Sequence, residues 1–210
     1  MSAWNFFLTH RSEILHATLD HLTLVVIAML IAIAIAVPLG MLIVQHPRLR
    51  TIALGIASVF QTIPSLALFG FLIPIPFIGG IGRRTAIVAL VLYALLPILR
   101  NTYVGLTNID HAILEAAEAM GMTTTQILLR VRFPLALSII LAGIRTATVI
   151  TIGVATIAAA IGAGGLGTFI FRGVAMVSDA VILAGAIPAA LLAILADLLL
   201  SQLERRLKVL

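Results

Sequence analysis

Leu22–Val44, LTLVVIAMLIAIAIAVPLGMLIV, runs for 23 residues without an ionisable side chain. As a helix it would rise about 35 Å, enough to cross the roughly 30 Å hydrocarbon core of a bilayer. His21 bounds the run on one side and Gln45-His46-Pro47-Arg48 on the other, so it reads as a transmembrane span. Pro38 and Gly40 are placed to bend its second half. The composition carries the same message for the whole chain. With 62% hydrophobic and 10% charged residues, and a mean hydropathy of +1.23, it departs from soluble domains, which are about 45–50% apolar and about 25% charged.

Four more spans follow from the same test. The uncharged run Thr51–Gly82 has 32 residues, about 48 Å as one helix, too long for one crossing and too short for two. Residues 51–72 therefore form one span kinked at Pro64, and Pro74-Ile-Pro76 through Gly79-Gly80 form the turn outside it. The others cover residues 85–103, 135–161 and 180–200, the fourth interrupted by Arg145 and the fifth carrying Asp197. The expected fold is all-α, a single polytopic membrane helical bundle of about five transmembrane helices over residues 1–210. Residues 1–21 precede it as an interfacial segment with Trp4, Phe6 and Phe7; a frayed terminus is the alternative reading. They lack the basic start, apolar run and cleavage site of a signal peptide.

Arginine placement orients the bundle, because basic flanks are retained in the cytoplasm. With the N-terminus outside, the inner segments hold Arg48, Arg50, Arg100, Arg130, Arg132, Arg205, Arg206 and Lys208. The outer ones hold Arg11, Arg83, Arg84 and Arg172. This distribution puts the C-terminus in the cytoplasm. The chain has no cysteine, which removes disulfides, thiolate metal sites and cysteine nucleophiles together; no metal site is expected.

Residues 104–134 lie in the one extended polar stretch and face the cytoplasm on this charge argument. Asp110 caps a helix over His111–Met120, with Gly121 where a helix commonly ends. Ile113, Ala117 and Met120 share an apolar face flanked by Glu115 and Glu118, a pattern suited to docking in a partner's groove. An amphipathic helix lying on the membrane is the alternative. A second short helix is expected after caps at residues 123–125, ending at Pro134.

Glu115-Ala116-Ala117, Gly121, Val131, Phe133 and Pro134 resemble the EAA loop of ABC importer permeases, in which E-A-A, three residues, G, nine residues, I, one residue, L and P recur. Val131 and Phe133 replace the usual isoleucine and leucine. The resemblance implies a coupling helix that sits in a cleft of a separate ATP-hydrolysing subunit and passes its closure to the spans. Gln61-Thr-Ile-Pro64-Ser65-Leu-Ala-Leu68, Gly143-Ile-Arg145-Thr-Ala147 and Ile161-Gly-Ala-Gly-Gly-Leu-Gly167 are similar to osmoprotectant permeases, importers of glycine betaine, choline and carnitine. That likeness implies further partners: two ABC ATPase subunits, a second permease copy or paralogue, an extracytoplasmic substrate-binding protein, a small-molecule solute and membrane lipid, but no nucleic acid. It also implies residence in a bacterial inner membrane. A permease for methionine or another small polar solute is the alternative, followed by a passive or ion-coupled carrier.

The remaining motifs each carry two readings. Gly162-Ala-Gly164-Gly-Leu-Gly167 matches G-x-G-x-x-G, but no strand precedes it and no acid sits about 20 residues on, so an outer loop or re-entrant turn is expected. The sole lysine, Lys208, is followed by valine and cannot serve a P-loop; ATP and its magnesium belong on a partner ATPase, and this subunit does no chemistry of its own. Arg145, Thr148 and Thr151 recur at i, i+3 and i+6 as candidates for a polar path. Arg145 is alternatively a structural cation paired with a carboxylate such as Asp197. Gln61, Thr62 and Ser65 beside Pro64 are the other path candidates, or else satisfy the backbone carbonyls that proline frees. Gly185, Ala189 and Ala193 on the fifth span, with Ala155, Ala159 and Ala163 on the fourth, are spaced for close helix packing. With one tryptophan and two tyrosines, Tyr93 and Tyr103, the chain is poorly supplied for an aromatic cage around a quaternary ammonium. Tight solute selection is therefore expected on a binding protein.

Overall fold

The computed structural model describes residues 3–207, all in helices and their connections, with no strand among them; Lys208 lies outside the described residues. The helices are α1 (Ala3–Thr9), α2 (Arg11–Ile43), α3 (Pro47–Thr62), α4 (Ser65–Leu72), α5 (Arg83–Thr107), α6 (His111–Ala119), α7 (Thr124–Ile127), α8 (Phe133–Ile157), α9 (Gly167–Ala175) and α10 (Asp179–Arg206). A π turn over Leu128–Arg132 joins α7 to α8, and a 3₁₀ turn over Ala158–Ile161 extends α8. Among the described residues, four helical rods are long and apolar enough to cross a bilayer, or five if the α3–α4 pair, bent by 105°, counts as one broken span. The all-α bundle expected from the sequence is the fold observed.

The core is built by close approach of small residues. On α2, Leu24, Ala28, Ala32 and Ala36 recur every fourth residue and are fully buried, as are Ala86, Ala89, Leu90, Ala94 and Ile98 on α5. A methyl group at Gly40 would lie 2.5 Å from Thr102 Cγ2, and one at Gly143 would lie 2.8 Å from the Pro97 carbonyl oxygen. These glycines let backbones approach where no hydrophobic driving force separates protein from lipid tails. Leucines and isoleucines such as Leu30, Leu191 and Leu198 stay exposed, as lipid-facing positions do. The Gly185 and Ala155 repeats divide similarly: Gly185, Ala189 and Ala155 are buried, whereas Ala193 and Ala159 are only partly so.

Several local features differ from expectation. Residues 11–21, expected as an interfacial segment, are helical and form the first turns of α2, because nothing between Arg11 and Leu22 breaks a helix. Upstream, Phe6 packs with Ile14, Phe169, Val181 and Ala184, while Trp4 is exposed. The bend at Pro64 is no mere kink: α3 and α4 cross at 105°.

The bundle has two distinct ends. At one, Arg83 of α5 pairs with Asp20 of α2 at 2.8 Å and also donates to Thr23. There Gly162, Gly164 and Gly165, all at positive φ, turn the chain from α8 into α9, with Gly165 seated on His21. At the other end, Val44 and Gln45 line a small cleft with Glu118, Thr124, Ile127, Leu128 and Arg132.

Candidate functional site

The polar loop assembles from local rules. Asp110 accepts a hydrogen bond from the Ala112 N–H at 3.0 Å and starts α6. His111 and Glu115 pair at 3.0 Å on its exposed side. At the far end, the Gly121 N–H donates to the Glu118 carbonyl at 2.9 Å and the Met122 N–H to the Ala117 carbonyl at 3.2 Å. These two bonds form a Schellman motif, which requires the residue after the cap to be left-handed. Gly121 has φ +75° with open space around the position of a Cβ, so backbone conformation, not crowding, calls for glycine there. Thr123 and Gln126 then close a reciprocal capping box that starts α7.

The expected Ile113–Ala117–Met120 docking stripe is divided. Ile113 and Met120 are exposed at 43% and 74%, but Ala117 is 2% exposed. Ala117 is the buried residue of α6 and Ile127 that of α7, and the two helices pack together. Ala117 therefore closes the loop on itself; Glu115, Ala116 and Gly121 are left on its surface. Pro134 also departs from expectation. It does not end the second helix: the chain from Thr124 to Ile161 is one continuous rod. The Phe133 N–H donates five residues back to the Leu128 carbonyl, a wider turn that takes up the proline ring and its missing donor. Arg132 anchors this turn by donating to the Leu106 carbonyl at 3.1 Å.

At the break between α3 and α4, Ile63 is extended (ψ 128°), the conformation that a following proline favours. Its carbonyl accepts a hydrogen bond from the Tyr93 hydroxyl of α5. Tyr93 thus satisfies the Ile63 carbonyl, and Thr62, as expected of the polar residues here, donates its hydroxyl to a carbonyl of the last turn of α3, that of Val59, at 2.8 Å. Gln61 and Ser65 are half-buried. No local pattern announces Tyr93, since its partner lies 30 residues away.

The Arg145–Thr148–Thr151 series separates in three directions. Thr151 is fully buried and directed at Met29 Sδ, 3.6 Å away, inside the contact between α8 and α2. Thr148 donates to the Ile144 carbonyl at 2.8 Å and borders a cavity of about 300 Å³ between α2, α8 and α10, lined almost wholly by apolar side chains. Arg145 reaches α10, with Nε 3.4 Å from Asp197 and a terminal nitrogen 3.1 Å from Glu204. Glu204 went unnoticed in the sequence, although it falls seven residues after Asp197, two turns on along the same face. His21, which the sequence offers only as a span boundary, is fully buried and bonds the Ile152 carbonyl through Nε2 at 3.1 Å.

The family model for the inner membrane component of binding-protein-dependent transport systems matches residues 28–209. The chain belongs to that family. The permease is 44% identical over 202 residues to the carnitine transport permease protein OpuCB of Listeria monocytogenes, spanning 96% of this chain and 91% of that protein. It is 49% identical over 188 residues to the glycine betaine/carnitine/choline transport system permease protein OpuCD of Bacillus subtilis, spanning 89% and 81%. Among solved structures, the inward-facing MetNI methionine ABC transporter matches with a TM-score of 0.80 and 26% identity, over 90% of this chain and 93% of that one. The permease is accordingly a multi-pass inner-membrane transport subunit with the fold of ABC importer transmembrane domains.

Proposed function

We propose that this subunit forms, with a second copy or a paralogue, the translocation path of an ATP-driven importer for a compatible solute such as glycine betaine, choline or carnitine. An extracytoplasmic binding protein delivers the solute, and two ATPase subunits, which carry the ATP and magnesium, dock on the loop around Glu115–Gly121. The N-terminus lies outside and the C-terminus in the cytoplasm. The observation that carries this reading is the loop itself: an exposed, doubly capped helix, α6, at one end of the bundle, packed against the short helix α7, which runs without a break into the membrane-crossing α8. A loop so built turns a push from a partner into a displacement of a span. ATP binding draws the ATPases together, their grooves shift α6, and the bundle alternates between outer and cytoplasmic access. Solute identity rests on the named relatives, both permeases for trimethylammonium solutes or their kin.

The test is reconstitution of the permease with its genomic-neighbour ATPase and binding protein in proteoliposomes. Labelled glycine betaine, choline and carnitine are offered alongside methionine. ATP-dependent accumulation of at least one of the three, undiminished by excess methionine, is the expected outcome. Accumulation without nucleotide, or of methionine alone, overturns the reading.

A further inference from the structure

We infer that Arg145, Asp197 and Glu204 form a clamp through which movement of the docking loop reaches α10, making Glu204 a positioning residue for transport. The inference rests on the docking role proposed above and adds the route from loop to gate. Its first ground is continuity: residues 124–161 are one rod, so Arg145 moves with α7, the helix against which α6 packs. Its second is the arrangement of charge. Asp197 and Glu204, two turns apart on α10, meet one guanidinium, at Nε and at a terminal nitrogen, at 3.4 and 3.1 Å. The Glu204 side chain is 18% exposed, and its Oε2 is buried without a hydrogen bond, leaving Arg145 as its ion-pair partner among the described residues. A carboxylate oxygen so enclosed is disfavoured without its counter-ion, which favours the pair's staying together when either helix moves.

The third ground is how α10 is held. Along its inner half α10 packs on α8 beside the 300 Å³ cavity, whose lining Leu192, Ala196 and Leu200 share with Ile144, Thr148 and Ile152 of α8. The outer half is different. A methyl at Gly185 would stand 2.5 Å from the Leu166 carbonyl oxygen and 3.0 Å from Phe169 Cβ, and Gly173 of α9 abuts Ile182 of α10 just as closely. So α10 is pinned by backbone contact at one end and tied to α8 by charge beside a cavity at the other. Tilting α8 draws the inner end of α10 with it and pivots that helix about Gly185. The compliant cavity allows the motion, and the clamp transmits it.

The experiment uses the complete importer in proteoliposomes and compares the parent with Glu204→Gln and Glu204→Asp. Glu204→Gln keeps size and removes charge. It is expected to retain ATPase binding and basal hydrolysis while uptake falls by about tenfold, an ordinary coupling factor, and loaded binding protein no longer stimulates hydrolysis. Glu204→Asp is expected to restore most of both. Uptake by Glu204→Gln within twofold of the parent overturns the clamp. Should that variant fail to assemble, a label pair in an otherwise parental chain decides the matter: Ala142→Cys on α8 with Gln202→Cys on α10, clean because the chain has no cysteine. Their separation should stay constant between nucleotide-free and nucleotide-trapped states; a change above about 5 Å, roughly one helical turn, means that the helices part and the clamp is wrong. A parent complex that neither binds ATPase nor accumulates solute refutes the function beneath it instead, and the clamp with it.

Discussion

Replacing Gly121 with valine separates conformation from contact at the loop proposed to dock the ATPase. Gly121 is held at φ +75° by the two hydrogen bonds that end α6. Because no atom lies within 4 Å of where a Cβ would stand, a side chain there meets no clash, and the whole penalty is left-handed backbone strain. For an ordinary L-residue that strain is about 1–2 kcal/mol. An undocked loop escapes it by unwinding its last turn, whereas a docked loop has to carry it. The apparent affinity for the ATPase therefore falls about 5- to 30-fold, with the spans still folded and inserted. Gly121→Asn is the control, since asparagine tolerates the left-handed region. Both variants are titrated with purified ATPase in detergent micelles, and betaine uptake is followed in parallel. If Val and Asn bind within twofold of each other, left-handed geometry is not what docking uses, and the reasoning fails.

Three further outcomes follow from packing and hydrogen bonding. Gly143→Ala puts a methyl 2.5 Å from Asn101 Cβ and should cost about 1–3 kcal/mol by overpacking, read as a lower melting temperature. Gly153→Ala on the same helix meets nothing within 4 Å and should instead stabilise the chain by about 0.5–1 kcal/mol; equal effects at the two sites would contradict the α5–α8 contact. Tyr93→Phe strips the Ile63 carbonyl of its partner and should destabilise by about 1–3 kcal/mol, so an unchanged thermal midpoint would remove Tyr93 from the α3–α4 break. Arg83→Ala breaks a pair whose side chains are 45% and 51% exposed; its effect should stay below about 1 kcal/mol, and a large loss of stability would mean that the Asp20 contact matters far more than an exposed pair can.

Much of this was legible because bilayers impose one dominant rule: long uncharged runs become helices. Leu22–Val44, all but its last residue, and residues 180–200 lie within observed helices, and Asp110 and Thr123 cap where their side chains predict. The rule fails at span ends, since a helix need not stop where the hydrocarbon does; α2 begins at Arg11 and α10 continues to Arg206. Tertiary partners were legible only where charge is scarce. Arg145 needed a carboxylate inside the bundle, and Asp197 was a candidate on its own span. Glu204 hid among the polar residues at the end of α10, where an acid ordinarily meets water. Thr151 shows the opposite failure, because helical periodicity places it beside Thr148 but does not say which side faces α2.

Proline illustrates why residue type alone does not determine such outcomes. Pro38, Pro97 and Pro188 lie inside α2, α5 and α10, which continue past them, whereas Pro64 divides a span at 105° and Pro134 sits above a π turn. The ring and the missing donor are the same in all five. What differs is the destination of the freed carbonyl and the conformation of the residue before. At Pro64, an extended Ile63 and the hydroxyl of Tyr93 give the broken backbone a partner in a medium that offers no water. At Pro134 the extra residue of the π turn lets the helix continue, so that this proline joins α7 to α8 instead of separating them. Had Pro134 ended its helix, a flexible corner would follow α7; the one turn that remains between α6 and the rod, residues 120–123, is held by the Schellman motif and the capping box. Under the proposed docking role, a push on α6 reaches the span through that closed turn and a continuous rod.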